Sequence, residues 1–234
     1  MLQIERLDGF YGESQVLHQV SLRLEPGEVV ALMGRNGSGR SSLARAVMGL
    51  LHCRGEICWK DRILGHLPTH EIARRGLGYV SESRDVFGGL TVAQNLLLGQ
   101  KVASNQAACL KWSQRAAFDR FPELARRADT QAGVLSGGEQ QLLSLCRCLM
   151  GHPECLVLDE PMEGLSPELA ARVGTLLEEC RDQGLAVLLI EQKLDISAVL
   201  APRCYVLGRG AVVYDGPTHD ALQESSPASA WLRV

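Results

Sequence analysis

Short apolar runs recur along the chain, and most of them are followed by a segment with apolar residues at helical spacing. Unbroken runs such as Val29–Met33 are typical of strands buried on both faces, whereas the alternation over Val20–Leu24 is typical of a half-buried strand. The pattern predicts strands over Leu2–Leu7, Val20–Leu24, Val29–Met33, Gly55–Trp59, Leu77–Val80, Cys155–Glu160 and Leu185–Ile190, and a closing hairpin over Tyr205–Leu207 and Ala211–Tyr214.

Helices are predicted between these strands, where apolar residues recur every three or four positions. Between Leu90 and Ala132 the pattern is helical with no convincing strand, so we expect a helical lobe inserted into an otherwise α/β chain. The predicted helices follow the loop after Met33, cover Glu71–Arg75, begin at Thr91, cover Ser104–Arg120, and begin again at Pro122, Ser136, Gly164–Pro167 and about Pro217.

Composition narrows the class of protein. The 234 residues carry a net charge of -3, and Lys and Arg are dispersed without an aromatic-rich basic patch, so we expect no nucleic-acid partner. No apolar run approaches the ~18 residues that span a bilayer, and Met1–Glu5 does not resemble a signal peptide. We therefore expect a cytosolic protein that meets a membrane only through a partner.

The 8 cysteines do not form a metal-binding pattern. The close pairs, Cys53 with Cys58 and Cys146 with Cys148, lack C-x-x-C spacing. Cys109, Cys155, Cys180 and Cys204 stand singly among apolar neighbours. Reduced thiols are expected at all of these positions.

A strand, a glycine-rich loop and a helix follow one another over Val29–Leu50. In this context the loop Gly34–Gly39 predicts a phosphate site, since its N–H groups turn inward and the helix N-terminus adds positive charge. A hydroxyl at Ser41 or Ser42 is suited to ligate Mg²⁺. The alternative is a glycine-rich turn that binds nothing.

One position departs from the usual phosphate-loop pattern, because Arg40 stands where lysine is expected. Arginine keeps the charge but is broader and more rigid, so the exchange is not conservative in a tight site. Nucleotide binding with slowed hydrolysis is one expected consequence.

Polar residues end three of the predicted core strands, at the edge where α/β sheets bind ligands. Asp159 and Glu160 are costly at the end of an apolar strand unless they have a task, and they suit holding a metal ion and polarising a water molecule. The alternative is a strand end that merely exits to solvent. Glu82 and Gln192 stand at equivalent strand ends, although Glu82 is also consistent with an ordinary solvated carboxylate. Tyr11, predicted to lie in a loop, is equally consistent with stacking on a purine and with a surface aromatic.

The helix predicted from Ser136 begins with a capping box, formed by Ser136 and Glu139. The same residues, Ser136, Gly137 and Gly138, also suit a second phosphate site at a helix N-terminus. Two phosphate sites far apart in one chain suggest that two chains enclose the nucleotide between them.

These motifs occur in an order that resembles the ATP-binding subunits of ABC transporters over nearly the whole chain. The resemblance rests on Tyr11, GRNGSGRSS, LSGGEQQ, LVLDEP and GLSP in that order. ARRGLGYVSES, EGLSP and IEQ are similar to the branched-chain amino acid importer ATPases. YGESQVL and HEIARRGLGYV look especially like the urea-importer member of that group.

The resemblance implies a P-loop NTPase fold, with a RecA-like mixed sheet, a small antiparallel β subdomain and an inserted helical subdomain. It implies one domain over 1–234, with residues 1–85 and 154–234 as the nucleotide-binding core and 86–153 as the helical subdomain that carries the signature motif. ATP and Mg²⁺ are the implied cofactors. The implied ATP contacts are Tyr11, Gly34, Asn36, Gly37, Ser38, Gly39, Arg40, Ser41, Ser42, Ser136, Gly137 and Gly138; the metal ligands are Ser41, Glu82 and Asp159; and the catalytic residues are Glu160, Gln192 and Glu82.

The resemblance also implies partners. They are a second ATPase subunit (a different chain, or a homodimer in isolation), two membrane permease subunits and an extracytoplasmic solute-binding protein, with the chain peripheral to the inner face of the membrane. The resulting hypothesis is an importer ATPase for a small nitrogen compound. Two alternatives stay open: a regulatory nucleotide-binding subunit weakened by Arg40, and an ABC protein outside transport, although such proteins usually carry two cassettes or extra domains.

Overall fold

The computed structural model describes residues 1–101, 112–192 and 194–232. Within these residues the strands are β1 (Leu2–Tyr11), β2 (Ser14–Leu24), β3 (Val29–Met33), β4 (His52–Trp59), β5 (Arg62–Ile63), β6 (Leu77–Val80), β7 (Cys155–Asp159), β8 (Ala186–Ile190), β9 (Arg203–Gly208) and β10 (Ala211–Pro217). The helices are α1 (Arg40–Val47), α2 (Thr69–Arg74), α3 (Val92–Gly99), α4 (Gln114–Arg120), α5 (Pro122–Ala125), α6 (Gly137–Leu149), α7 (Pro167–Asp182), α8 (Leu194–Leu200), α9 (Thr218–Ala221) and α10 (Ser229–Leu232).

A six-stranded mixed sheet with the order β10-β9-β3-β8-β7-β6 forms the centre of the chain. All neighbouring pairs in it are parallel except β9 with β10. A second sheet, with the order β2-β1-β4-β5, is antiparallel. The predicted α/β fold, with a mixed core sheet and a small antiparallel sheet, is confirmed.

The two faces of β3 belong to two different hydrophobic clusters. Val29, Ala31 and Met33 pack with residues of α6 and α7, whereas Val30 and Leu32 pack with α1 and the antiparallel sheet. Because both faces are covered, every residue of β3, β7 and β8 is buried. This double burial explains why these strands are unbroken apolar runs in the sequence.

The first two strands are longer than the alternation of apolar residues predicts. Tyr11 is the last residue of β1, so the prediction of a loop at Tyr11 was wrong. The pairing register between β1 and β2 shifts along their length, and Arg6 (φ 45°) and Gln19 (φ 51°) have left-handed backbones. Such bulges interrupt the two-residue period on which the prediction depended.

The helical lobe contains α3 to α5, and α3 and α5 contact the signature helix α6. The prediction of one continuous helix over Ser104–Arg120 was wrong. The helix α4 begins at Gln114, and its N-cap Ser113 accepts a hydrogen bond from the Ala116 N–H. Residues 104–111 lie outside the described part. The helix starts predicted at Thr91 and Pro122 are confirmed, with a complete capping box at Thr91.

Four short elements were not predicted: β5, α8, α10 and a 3-10 helix over Ala132–Val134. They are too short for periodicity to reveal them. Pro217 closes β10 and caps α9, which agrees with the helix predicted from about that residue. The described residues include no helix that has both the length and the apolar character needed to span a bilayer. Among the same residues the cysteines are free thiols; Cys109 lies outside them.

Candidate active site

The loop after β3 curls around an open space at the N-terminus of α1. Gly34, Gly37 and Gly39 have φ values of 146°, 76° and 106°, which disfavour any side chain. A Cβ at Gly34 would stand 2.4 Å from the Leu207 carbonyl oxygen, so this turn requires glycine. The loop therefore has the backbone geometry of an anion cradle.

A cleft of about 670 Å³ opens over this loop. Most of the predicted phosphate-loop residues line it, together with Glu82, Glu160 and Gln192. Tyr11, Gly34, Asp159 and Ser136 with its two glycines do not line it. The full lining is Gln15, Val16, His18, Asn36, Gly37, Ser38, Gly39, Arg40, Ser41, Ser42, Glu82, Glu160, Gln192, Arg209 and Gly210.

Asp159 and Glu160 lie where β7 ends, and both are buried. The Ser41 hydroxyl donates a hydrogen bond to Asp159 Oδ1 at 3.2 Å. Glu160 has a left-handed backbone (φ 51°), and its N–H donates to the Ile190 carbonyl at 2.9 Å. The two carboxylates therefore leave the strand in different directions, one toward Ser41 and one into the cleft.

Burial raises the pKa of Asp159 to about 6. The hydrogen bond from Ser41 lowers this pKa, while the negative charges of Glu82 and Glu160 raise it further. A carboxylate that is costly to ionise in this place is stabilised by a cation. A serine hydroxyl and a carboxylate are the hard oxygen donors that Mg²⁺ prefers, so the residues present fit the metal.

Arg40 is the first residue of α1, and its side chain is buried. Its Nη2 lies 3.4 Å from Glu160 Oε1 and 3.4 Å from Asn36 Oδ1. Burial lowers the pKa of Arg40, and the surrounding carboxylates, Glu160 first, oppose that shift. The arginine in the lysine position thus pairs with the carboxylate predicted to act on water.

Glu160 also accepts a hydrogen bond from Gln192 Nε2 at the end of β8. Carboxylate oxygens of Glu82, Glu160 and Glu163 lie within 4.8 Å of one another. Glu163 was not predicted as a site residue, because nothing but its position in the EGLSP run marks it in the sequence. The predicted catalytic residues Glu82, Glu160 and Gln192 are therefore brought together.

Tyr11 lies at the end of β1 with 42% of its surface exposed. Its hydroxyl accepts a hydrogen bond from Arg45 Nη1 at 3.2 Å. Arg45 belongs to α1, so the phenol is tied to the helix that follows the phosphate loop. The ring itself is open to solvent.

Ser136, Gly137 and Gly138 start α6 away from the cleft. The predicted capping box is present: Ser136 Oγ accepts from the Glu139 N–H at 3.3 Å, and Glu139 Oε2 accepts from the Ser136 N–H at 2.9 Å. Gly137 packs against the Arg84 guanidinium, so closely that a Cβ would stand 2.3 Å from Nη1. Within one chain, this segment and the phosphate loop do not face the same cleft.

The sequence prediction missed the residues that support the phosphate loop from the opposite side. The His18 N–H donates to the Gly210 carbonyl at 2.8 Å, and the Gly210 N–H donates to the Ser38 carbonyl at 2.9 Å. Gln15, Val16 and Arg209 complete this side of the cleft. No motif marks these residues, since they come from β2 and from the turn between β9 and β10.

Comparison with known proteins identifies the family of this chain. The family model described as ABC transporter matches residues 17–163, from β2 to the carboxylates after β7. The chain belongs to the ABC transporter family. It is an ABC ATPase subunit of a transporter, so the prediction that the chain is an ABC-type ATPase is confirmed.

This ABC ATPase is similar to transport proteins of two kinds. It is 36% identical over 214 residues to the high-affinity branched-chain amino acid transport ATP-binding protein BraG of Pseudomonas aeruginosa, which covers 91% of each chain. It is 29% identical over 238 residues to the lipopolysaccharide export system ATP-binding protein LptB of Escherichia coli K12, covering 99% of this chain and 96% of that one.

Among solved structures, the ABC ATPase is similar to an ATP-binding cassette of an ABC transporter in its ADP conformation. The TM-score is 0.77 at 27% identity, over 96% of this chain and 95% of the other. The predicted P-loop fold is thereby confirmed.

Proposed function

We propose that this ABC ATPase powers an importer for a branched-chain amino acid or a related small nitrogen compound, urea included. The proposal is supported by the similarity to BraG, a branched-chain amino acid transport protein, which is higher than the similarity to the export protein LptB. The resemblance of YGESQVL and HEIARRGLGYV to urea-importer ATPases supports the inclusion of urea.

The observation that carries the catalytic proposal is the pair of buried carboxylates, Asp159 and Glu160, beside the phosphate loop. Gly34 to Ser42 hold the phosphates of ATP through backbone N–H groups. Ser41, Glu82 and Asp159 would hold Mg²⁺. When bound, Mg²⁺ neutralises charge that develops on the phosphates during transfer.

Glu160 accepts a proton from the attacking water, since its carboxylate faces the cleft. Gln192 holds that carboxylate by donating from Nε2. An amide cannot take up the proton itself, so Gln192 orients the Glu160 carboxylate and Glu160 takes the proton from water. Tyr11 stacks on adenine from the end of β1.

The γ-phosphate is enclosed by Ser136, Gly137 and Gly138 of a facing subunit. The separation of these residues from the cleft in one chain supports this arrangement, and the proposed facing subunit is a different ATPase chain. Two permease subunits hold the assembly at the inner face of the membrane and contact the helical lobe and residues 82–89, and a solute-binding protein delivers the solute.

Uptake assays separate import from export. In cells from which the gene for this chain is deleted, we expect uptake of radiolabelled leucine or urea to fall, and to return with the wild-type chain but not with Glu160→Gln. Unchanged uptake of both solutes, with lipopolysaccharide accumulating in the inner membrane, would contradict import and favour export.

A second candidate function is favoured by Arg40. In this alternative the chain binds ATP to complete a composite site, and a partner ATPase performs the hydrolysis. Steady-state hydrolysis by the purified chain, alone and with that partner, distinguishes the two. A silent wild type that gains turnover as Arg40→Lys would support the alternative.

A further inference from the structure

Arg40 is a cation in a pocket of carboxylates. The negative charges of Glu160, Asp159, Glu191 and Glu82 all act on its guanidinium, Glu160 most strongly. Only 5% of the residue is exposed. A buried charge needs this compensation, so Arg40 and the carboxylates around it depend on one another.

The two ends of the guanidinium differ in their contacts. Nη2 lies 3.4 Å from both Glu160 Oε1 and Asn36 Oδ1. Nη1 is buried and has no hydrogen-bond partner in the described part of the chain. A buried donor left unpaired costs free energy, and this one belongs to a residue that lines the cleft over the phosphate loop.

A lysine in this position would not reproduce the contact with Glu160. Its side chain is one bond shorter, so its nitrogen corresponds in position to Cζ of arginine and not to Nη2. Because Nη2 is already at the long end of the hydrogen-bond range from Glu160, a shorter side chain falls outside that range. Arginine also presents several donors in a fixed fork, which allows one group to meet two acceptors at once.

Glu160 requires such a partner. Glu82 and Glu163 place carboxylate oxygens within 4.8 Å of one of its own, and both repel it. Within the part of the chain that the structure describes, Glu160 Oε1 also accepts a hydrogen bond from the neutral amide of Gln192. Among the described residues, Arg40 is therefore the positively charged group that pairs with the Glu160 carboxylate.

We propose that Arg40 is a positioning residue for Glu160: its Nη2 orients the carboxylate that accepts the proton from water. This inference rests on the proposed role of Glu160 in hydrolysis. In this chain Arg40 then contributes to ATP hydrolysis, and its replacement by lysine does not raise the rate of hydrolysis.

The test measures hydrolysis and binding separately. Wild type and Arg40→Lys are purified as the whole chain, and kcat and KM for Mg-ATP are determined together with the Kd for ATP and the melting temperature. We expect kcat to fall about 10- to 100-fold, the loss that follows from removing one charge-assisted hydrogen bond, with Kd within about threefold of wild type. Arg181→Lys, at the C-terminal end of α7 with a partly buried side chain, is the matched control and should match wild type.

A double mutant tests whether Arg40 acts through Glu160. In single-turnover assays with radiolabelled ATP, we expect Arg40→Lys to cause no further loss when Glu160 is already glutamine. A full additional loss would overturn the proposal, as would an Arg40→Lys variant with unchanged or raised kcat, or one that loses ATP binding and hydrolysis alike.

Failure of the proposed function gives a different result. If Glu160→Gln alone leaves hydrolysis unchanged, the catalytic role of Glu160 is wrong. If wild type and Glu160→Gln differ as expected but Arg40→Lys equals wild type, only the inference about Arg40 is wrong.

Discussion

The Ser41 hydroxyl donates a hydrogen bond to Asp159 Oδ1 at 3.2 Å and so joins the first turn of α1 to the end of β7. In the sheet, β8 separates β3 from β7, so α1 reaches across one strand to make this contact. The contact gathers two hard oxygen atoms beside the phosphate loop. Burial of Asp159 at this place nevertheless makes ionisation of its carboxyl group unfavourable.

The first prediction concerns the stability cost of Asp159. The pKa of Asp159 in the folded state, about 6, lies above its ordinary value of 3.8. The neutral carboxyl group therefore contributes its full stabilisation of the folded state below about pH 3.8, and this contribution is lost as the pH rises through about 6. Without Mg²⁺, Asp159→Asn should therefore be more stable than wild type by roughly 1–3 kcal/mol at about pH 7.5. Its melting temperature in EDTA should be about 2–8 °C higher.

The pH dependence provides the internal control for this prediction. The difference between Asp159→Asn and wild type should narrow below about pH 5, where the wild-type carboxyl becomes neutral. Asp119→Asn removes an exposed carboxylate and should show no such trend. If the melting temperatures of Asp159→Asn and wild type differ equally at about pH 7.5 and below about pH 5, the raised pKa of Asp159 is contradicted.

The second prediction concerns proton transfer to Glu160. Glu160→Gln keeps the size of the side chain but cannot accept a proton, so turnover should fall about 10²- to 10⁴-fold. ATP binding should remain. Glu168→Gln, in the exposed first turn of α7, is the matched control. Turnover within a factor of two or so of wild type would show that another group accepts the proton.

The third prediction concerns Tyr11. Removing the ring in Tyr11→Ala should weaken ATP binding roughly 5- to 100-fold, since stacking of a base on an aromatic ring contributes about 1–3 kcal/mol. Tyr11→Phe keeps the ring but loses the hydrogen bond from Arg45 and should bind ATP nearly as wild type does. Equal losses in both variants would assign the effect to the hydroxyl group instead of the ring.

The fourth prediction separates two roles of Ser136. Ser136→Ala removes the N-cap of α6 and should lower the free energy of unfolding by about 0.5–2 kcal/mol, whereas Ser136→Asp keeps a good cap. The aspartate, however, would repel the γ-phosphate held by a facing subunit. Both substitutions are made in the Glu160→Gln background, and ATP-dependent association of two subunits is followed by size-exclusion chromatography. We expect the Ser136→Ala variant to associate more strongly than the Ser136→Asp variant. Association that is equally strong in both would argue against phosphate contact here.

The central strands could be read from the sequence alone. β3 spans the predicted Val29–Met33, and β7 and β8 lie within one residue of their predicted ends. These strands are buried on both faces, so their apolar runs are unbroken and their ends are sharp. The glycine-rich loop Gly34–Gly39, the helix start at Thr91 and the capping box at Ser136 were likewise visible because they are local.

The outer strands and the contacts between segments required the tertiary structure. The bulges at Arg6 and Gln19 depend on pairing between strands, and their effect on the ends of β1 and β2 has no local signal. The support of Ser38 by Gly210 joins segments far apart in the chain, and so does the pairing of Arg40 with Glu160. Order along the chain does not determine the order of strands in a sheet.

The sequence by itself determined which chemical groups are available: a glycine loop, two adjacent carboxylates, and an arginine in place of lysine. The tertiary structure decided which of them meet. Strand order and the left-handed turn at Glu160 bring its carboxylate to Arg40, across 120 positions of sequence. The physical reason is that a hydrogen bond is weakened when the distance between donor and acceptor changes by a few tenths of an ångström, and only the packing of the sheet and helices sets that distance.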